Sequence, residues 1–89
     1  MERSITRRCS GGKLVKVTVR AVGGTIEGVR ITGDFFTHPE GIIETLEGRL
    51  VGSMAGQVAE AVWKGLGEGT LIIGFNPEEL ILMIEECSR

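Results

Sequence analysis

Tyrosine is absent from this 89-residue sequence, histidine and asparagine occur once each, and aromatic residues make up only 4% of the chain. We therefore do not expect an active site lined with polar aromatic side chains. Two distant cysteines and one histidine also fall short of the three or four converging donors that a metal site needs. Neither Cys9 nor Cys87 is near His38 in the sequence, so no nucleophile with a neighbouring base is evident. The composition predicts a chain with no catalytic residues and no bound metal of its own.

Neither charge nor apolar length indicates a nucleic-acid or membrane protein. The formal net charge is -2, which gives no broad basic field for nucleic acid. No stretch approaches the roughly 18 apolar residues that span a bilayer, and residues 1–8 lack the apolar run of a signal peptide. Two widely spaced cysteines without an export signal are typical of free thiols in the cytoplasm. We expect a cytoplasmic protein with no membrane or nucleic-acid partner.

Alternating apolar residues and glycines dominate the first half of the sequence. Val15, Val17 and Val19 alternate with polar residues, which predicts a half-buried strand. Gly23-Gly24 predicts a hairpin turn into a second strand that reaches about residue 35, with a bulge near Gly28. The polar, basic residues 1–12 precede this hairpin and predict a flexible or partner-ordered arm.

Helical spacing dominates the second half. A first helix is expected over about residues 38–51 and a second over about 54–66, with Ser53 as its N-cap. A last helix begins at Pro77, and residues 70–75 form either a brief strand or an extended connector. Two strands followed by three helices predict a two-layer α+β domain over residues 13–89, in which a small antiparallel hairpin-based sheet packs against three helices. The apolar stripe of the first helix comprises Ile42, Ile43, Leu46 and Leu50.

The junction between the second strand and the first helix carries two adjacent phenylalanines, Phe35 and Phe36. Adjacent side chains on a strand point to opposite faces, so either the backbone turns here or one ring stays outside for a partner. Thr37 and Glu40 have the spacing of a capping box, which favours the turn and a helix start. For Asp34, a structural role in the turn is a better interpretation than an acid of raised pKa.

Glycine-rich segments offer only a weak indication of anion binding. Gly11-Gly12-Lys13 lacks the spacing of a P-loop, and Gly65, Gly67 and Gly69 follow a helix where a dinucleotide fingerprint would follow a strand. Gly12-Lys13 at the start of a strand is equally consistent with a cation placed near an anion and with an ordinary solvated lysine. Trp63 is interpreted as a core residue of the second helix.

Residues 11–17, residues 31–40 and the helical run 46–52 resemble the C-terminal accessory domain of lipoate–protein ligases. The chain is too short to hold a large catalytic domain as well, so it looks like the small subunit of a bipartite ligase of the archaeal kind. The resemblance covers roughly residues 11–75. Its most specific part is the corner Gly33–Phe36.

This resemblance implies a chain that supports a reaction carried out on another polypeptide. In such ligases ATP, with Mg²⁺, activates lipoate to lipoyl-AMP, and the lipoyl group then passes to a lysine of a carrier domain. The resemblance places the adenylate site on a large catalytic subunit, on which the small subunit docks and for whose activation step it is needed. ATP, Mg²⁺ and lipoate are therefore expected only in the complex with the large subunit, and the lipoyl carrier protein is an indirect partner.

The corner supplies the candidate partner-binding residues, which are Gly33, Asp34, Phe35, Phe36 and His38. Gly12 and Lys13 are the candidates for approaching the nucleotide phosphates. A different interpretation is a sulfur-transfer or scaffold accessory protein, for which Cys9 on an exposed arm would be the reactive thiol. A general protein-interaction module is a further alternative. Nucleic-acid binding by Arg3, Arg7 and Arg8 is the weakest one, because no aromatic residues are interleaved with them.

Overall fold

The alternating valines form the centre of a three-stranded antiparallel sheet in the computed structural model, which describes residues 1–88. The strands of this sheet are β1 (Glu2–Arg8), β2 (Leu14–Val22) and β3 (Thr25–Gly33), in the order β1-β2-β3. A second, two-stranded antiparallel sheet joins β4 (Phe36–His38) and β5 (Leu71–Ile73). The helices are α1 (Ile42–Leu50), α2 (Val58–Gly65) and α3 (Pro77–Ser88), and a 3-10 turn (Ala55–Gln57) leads into α2. The α+β prediction is confirmed.

The predicted hairpin is present between β2 and β3. Gly23 and Gly24 both have positive φ, 59° and 84°, which are the backbone angles that a two-residue hairpin loop requires. The register shifts between Arg20 and Ala21, which face Gly28 and Ile26 respectively, so the bulge near Gly28 is confirmed. The shift turns Ile26 inward, where its side chain is fully buried.

The prediction that residues 1–12 form a flexible or partner-ordered arm is wrong for most of its length, because residues 2–8 form β1 within this chain. This strand pairs with β2 along its whole length, with Ile5 opposite Val17. The hydroxyls of Ser4 and Thr18 lie 2.8 Å apart across the pair. A single apolar residue, Ile5, gives too little alternation for the sequence to indicate a strand, and the backbone of β2 supplies the pairing.

One side of the sheet is covered by α1 and α3, and α2 packs against both of these helices. The buried residues form one core. The first-helix stripe is confirmed, since all four of its residues are buried. Helices α1 and α2 approach closely at Gly65, where a Cβ atom would lie 2.5 Å from Leu46 Cδ2. The fully buried side chains are Val15, Val17, Val19, Ile26, Leu46, Leu50, Val58, Val62, Leu80, Met83 and Ile84.

Two predicted helix starts are wrong. Helix α1 begins at Ile42, after Gly41 in the left-handed conformation (φ 86°), and Thr37 lies in β4, where it forms no capping box. The second helical segment is preceded by Met54, not Ser53, and the Met54 N–H donates to Gln57 Oε1 at 2.9 Å. Thr37 is taken up by the pairing of β4 with β5, and the Ser53 carbonyl accepts a hydrogen bond from the Ile26 N–H at 2.8 Å, so both residues lie in extended backbone that contacts another segment.

The last helix begins where the sequence predicts. The carbonyl of Asn76 accepts hydrogen bonds from the N–H groups of Glu79 and Leu80, and Glu79 Oε1 accepts from the Asn76 N–H at 2.9 Å. The apolar run before it is the brief strand β5, which settles the choice between strand and connector. Within residues 1–88, no helix has the length and apolar character needed to cross a membrane.

Candidate docking site at the end of the sheet

Gly33 closes β3 with a backbone arrangement that only glycine fits. Its φ is 156°, and a Cβ atom at this position would collide with the carbonyl oxygen of Leu14 and lie 3.1 Å from Val15 Cα. The next residue, Asp34, donates its N–H to the same carbonyl at 3.2 Å. The chain therefore turns away from the main sheet at the predicted corner.

The two phenylalanines of the corner have opposite environments. Phe35 is partly buried and packs its ring edge-on against Phe75, with centroids 5.1 Å apart and an interplanar angle of 88°. Phe36 is 55% exposed. The sequence left two alternatives for this pair, a turn of the backbone or an exposed ring, and the structure combines them: the backbone turns at Gly33 and the Phe36 ring is exposed.

The short sheet presents an apolar surface to the outside. Phe36 pairs with Ile73 and His38 pairs with Leu71, and all four side chains are exposed, whereas Thr37 and Ile72 between them are partly buried. We call the outward-facing set Phe36, His38, Leu71 and Ile73 the apolar platform. Three large hydrophobic side chains, each more than half exposed and adjacent on one small sheet, are typical of an interaction surface.

Leu71 and Ile73 were not among the sequence-predicted site residues. A run of three apolar residues fits a strand of either orientation, so the sequence does not indicate which side chains face outward. The pairing with β4, more than 30 residues earlier in the chain, decides that Ile72 faces inward.

The structure brings Lys13 to the same end of the molecule as the corner. Gly74, which follows β5 with φ 123°, packs so tightly that a Cβ atom there would lie 2.9 Å from Phe35 Cβ and 3.0 Å from Lys13 Cγ. Gly11 lies against the backbone of Gly74 in the same way. The exposed side chain of Lys13 therefore emerges beside Phe35, and Gly12 precedes it in a left-handed turn with φ 82°.

An open cavity of about 570 Å³ borders the corner on the α1 side. It lies between the free edge of β3 and the start of α1, with Glu40 and Glu44 in its lining. On the same edge, Glu47 Oε2 accepts a hydrogen bond from the Ile31 N–H at 2.8 Å, so this N–H group of the free edge has a partner within the chain. Asp34 and His38 are both exposed, as docking residues must be.

The interpretation of Trp63 as a core residue is wrong. Its side chain is 49% exposed and borders a second cavity of about 420 Å³ between the end of α2, β5 and the start of α3. The core position next to it is taken by Val62, so Trp63 lies on the boundary of the buried stripe. Leu71 belongs both to this cavity and to the apolar platform.

Both cysteines lack the features of a sulfur carrier. Cys9 is only 5% exposed, and burial together with the negative charge of Glu79 raises the pKa of its thiol. Cys87 is also buried, its Sγ lies 3.9 Å from the Val17 carbonyl, and burial raises its pKa too. A reactive thiol needs exposure and a lowered pKa, so the exposed-arm role predicted for Cys9 is contradicted.

The comparisons with known proteins agree on one kind of protein. The chain is 34% identical over 68 residues to lipoate-protein ligase A subunit 2 of Thermoplasma acidophilum, an alignment that covers 76% of this chain and 72% of that protein. A solved chain from the archaeal lipoylation system of the same organism, described as a bipartite lipoate protein ligase and its E2 lipoyl domain, superimposes with a TM-score of 0.79 at 28% identity. That superposition covers 94% of this chain and 97% of the solved one. No protein-family model matches the chain.

Proposed function

Because the chain belongs to the family of lipoate–protein ligase A subunit 2, we propose that it is the small, non-catalytic subunit of a bipartite lipoate–protein ligase. Its partner is a large catalytic subunit, with which it forms a heterodimer. ATP, Mg²⁺ and lipoate bind in that complex, and a lipoyl carrier domain receives the product. The similarity over most of both chains supports the assignment.

The observation that carries the docking role is the exposure of Phe36 next to Ile73. Leaving an aromatic ring and an isoleucine half in water forgoes hydrophobic stabilisation of about 25 cal/mol per Å². A partner that covers both recovers this free energy, and buried aromatic side chains are typical centres of protein interfaces. Phe35 and Phe75, which lie next to the two platform strands in the chain, pack against each other and join these strands to the core.

The reaction that this docking supports has two steps. In the first, the lipoate carboxylate attacks the α-phosphorus of ATP, forming lipoyl-AMP and releasing pyrophosphate. In the second, a carrier lysine attacks the acyl carbon and AMP leaves. The first step produces a mixed anhydride that water hydrolyses. A second subunit that orders loops around ATP and excludes water therefore promotes the first step.

Lys13 is the residue of this chain proposed to approach the nucleotide. It is exposed beside Phe35, so docking through the platform brings its ammonium group to the edge of the partner. A cation at that edge would stabilise the negative charge that develops on the departing pyrophosphate. Gly12 next to it offers backbone close to the same point.

The test is pyrophosphate release from ATP and lipoate by the purified large subunit, with this chain added as wild type or as a variant. Phe36→Ala is expected to raise the concentration of this chain that gives half-maximal activation by about tenfold or more. A loss of this magnitude is typical when a hot-spot residue of an interface is truncated. Lys13→Ala is expected to lower the maximal rate about tenfold with less effect on that concentration.

The matched control is Leu82→Ala, which removes a 56% exposed leucine from α3 on the helical side. It should activate like wild type. Failure of the wild-type chain to stimulate pyrophosphate release would refute the proposed function. Wild-type activation by both Phe36→Ala and Lys13→Ala would remove the roles assigned to those residues.

A further inference from the structure

Charge is divided sharply between the two layers of this protein. Residues 1–33, which form the main sheet, contain seven Lys or Arg and two Glu. Residues 34–88, which form the short sheet and all three helices, contain two Lys or Arg and ten Asp or Glu. The net charge of -2 therefore hides a basic sheet that lies on an acidic helical layer.

The basic side chains of the sheet lie mainly on the face that the helices do not cover. Val15, Val17 and Val19 point into the core, so the residues between them on β2 point outward. Lys16 lies between Thr6 and Thr32 in the register. We call this surface the open face; its outward residues are Glu2, Ser4, Thr6, Arg8, Leu14, Lys16, Thr18, Arg20, Gly28, Arg30 and Thr32.

Two cations of the open face, Lys16 on the middle strand and Arg30 on β3, are available to a partner. Arg20 pairs with Glu27 at 3.6 Å, and Arg8 Nη1 donates to the Gly12 carbonyl at 3.0 Å. Lys16 and Arg30, by contrast, form no ion pair among the described residues. They lie diagonally across β2 and β3, since Lys16 faces Thr32 and Thr18 faces Arg30. Their positive charge is therefore uncompensated locally.

The apolar platform is too small to form a stable interface by itself, so a partner that binds it also needs a neighbouring contact surface. The platform's side chains, three of which are just over half exposed, offer on the order of 100 Å² each, whereas a stable interface buries about 800 Å² on each partner. The open face adjoins the corner at Leu14. The Leu14 carbonyl accepts the hydrogen bond from the Asp34 N–H of the corner, and the exposed Leu14 side chain belongs to the open face. One partner can cover both surfaces.

We propose that the open face is an electrostatic docking surface for acidic side chains of the catalytic subunit, continuous with the apolar platform. This inference rests on the proposed function. Hydroxyls and cations alternate over this face, which ends in the apolar Leu14 and Val22, and this spacing suits separated carboxylates of a folded protein. Strands β1 to β3 contain no aromatic residue on which bases could stack, and the acidic helical layer repels nucleic acid.

The test is the kinetics of association between this chain and its catalytic subunit, measured by surface binding at about 0.05 M and 0.5 M salt. Lys16→Glu combined with Arg30→Glu should slow association about tenfold or more at low salt and change dissociation less than about twofold, with the difference largely lost at high salt. The control is Arg49→Glu combined with Lys64→Glu, which changes net charge equally on the helical layer and should associate within about twofold of wild type.

Outcomes against this inference are distinct from failure of the proposed function. Equal association rates for wild type and the sheet-face double variant, in a complex that Phe36→Ala still weakens, overturn the open-face role alone. Equal slowing by the sheet-face and helical-layer variants overturns it as well. If the catalytic subunit binds none of these proteins, wild type included, the proposed function and this inference both fail.

Two measurements on this chain alone separate other occupants of the face. Salt-sensitive self-association in sedimentation, abolished by the sheet-face double variant, would place a second copy there and overturn the inference. Binding of inorganic pyrophosphate or of an oligonucleotide, abolished by the same variant, would assign the face to phosphate groups and would also overturn the inference.

The urea midpoint of the sheet-face double variant, measured beside wild type, shows whether the glutamates disturb folding. If they do, Lys16→Gln combined with Arg30→Gln replaces that variant and should slow association with the catalytic subunit about threefold at low salt.

Discussion

At the scale of single residues, the corner depends on glycines whose missing side chains make room for neighbouring backbone. Gly33 lies against the Leu14 carbonyl, and Gly74 lies against Phe35 and Lys13. The sequence indicates that only one of Phe35 and Phe36 lies in the core, because the side chains of adjacent strand residues point to opposite faces of the sheet. It does not indicate which ring is inside. That choice depends on Phe75, which lies far away in the sequence and packs against Phe35.

Gly33→Ala is expected to destabilise the fold by about 2–3 kcal/mol, because the new methyl group forces the β3 backbone away from Leu14. Gly48→Ala is the matched control. Gly48 lies inside α1 with open space around it, so alanine should stabilise the protein by about 0.5–1 kcal/mol through helix propensity. Urea unfolding measures both changes. Equal stability of Gly33→Ala and wild type would contradict the packing described for the corner.

At the scale of secondary-structure elements, the sequence predicts those parts whose pattern is local. The apolar stripe of α1, the Gly-Gly hairpin and the Asn-Pro start of α3 each depend on residues within a few positions of one another. The strands β1 and β4 were missed, because one has a single inward-facing apolar residue and the other has only three residues. Both exist through backbone pairing with another strand, β1 with the next strand and β4 with a strand more than 30 residues later, and local periodicity does not report such pairing.

The start of α3 also ties two elements together through Glu79. Its carboxylate accepts hydrogen bonds from the Asn76 N–H, from the Ser10 hydroxyl at 2.7 Å and from the Ser10 N–H at 2.9 Å. The bond from the Asn76 backbone, followed by that from the Ser10 side chain, lowers the pKa of Glu79 below its ordinary value of 4.5. The charged form therefore holds the turn between β1 and β2 against α3.

This lowered pKa sets the direction of a pH effect. The carboxylate contributes stability above the pKa of the unfolded chain, and this contribution is lost as the pH falls through the lower, folded-state pKa. Glu79→Gln should therefore be less stable than wild type at pH 7, and the difference should shrink below about pH 4. Thermal unfolding across pH 2–7 measures it. Glu78→Gln removes a charge from the same turn without removing these bonds, and a difference of the same size and pH dependence for that variant would contradict the assignment.

At the scale of the whole molecule, the chain is a basic sheet and an acidic helical layer with an apolar platform at one end. The α+β class and the helical layer follow from the sequence, but the platform does not, since it is assembled from two strands that are distant in the chain. The separation of charge is visible in the sequence as a difference between its halves. Only the register shows that Lys16 and Arg30 share the uncovered face.

Amide hydrogen exchange of this chain, with and without a catalytic subunit, tests most directly whether that subunit covers the apolar platform. The expected result is slower exchange of the backbone amides of residues 34–38 and 71–74 in the complex, with little change along the exposed side of α3. A complex in which those two segments exchange as fast as in the isolated chain, while protection appears on α3, would contradict this docking.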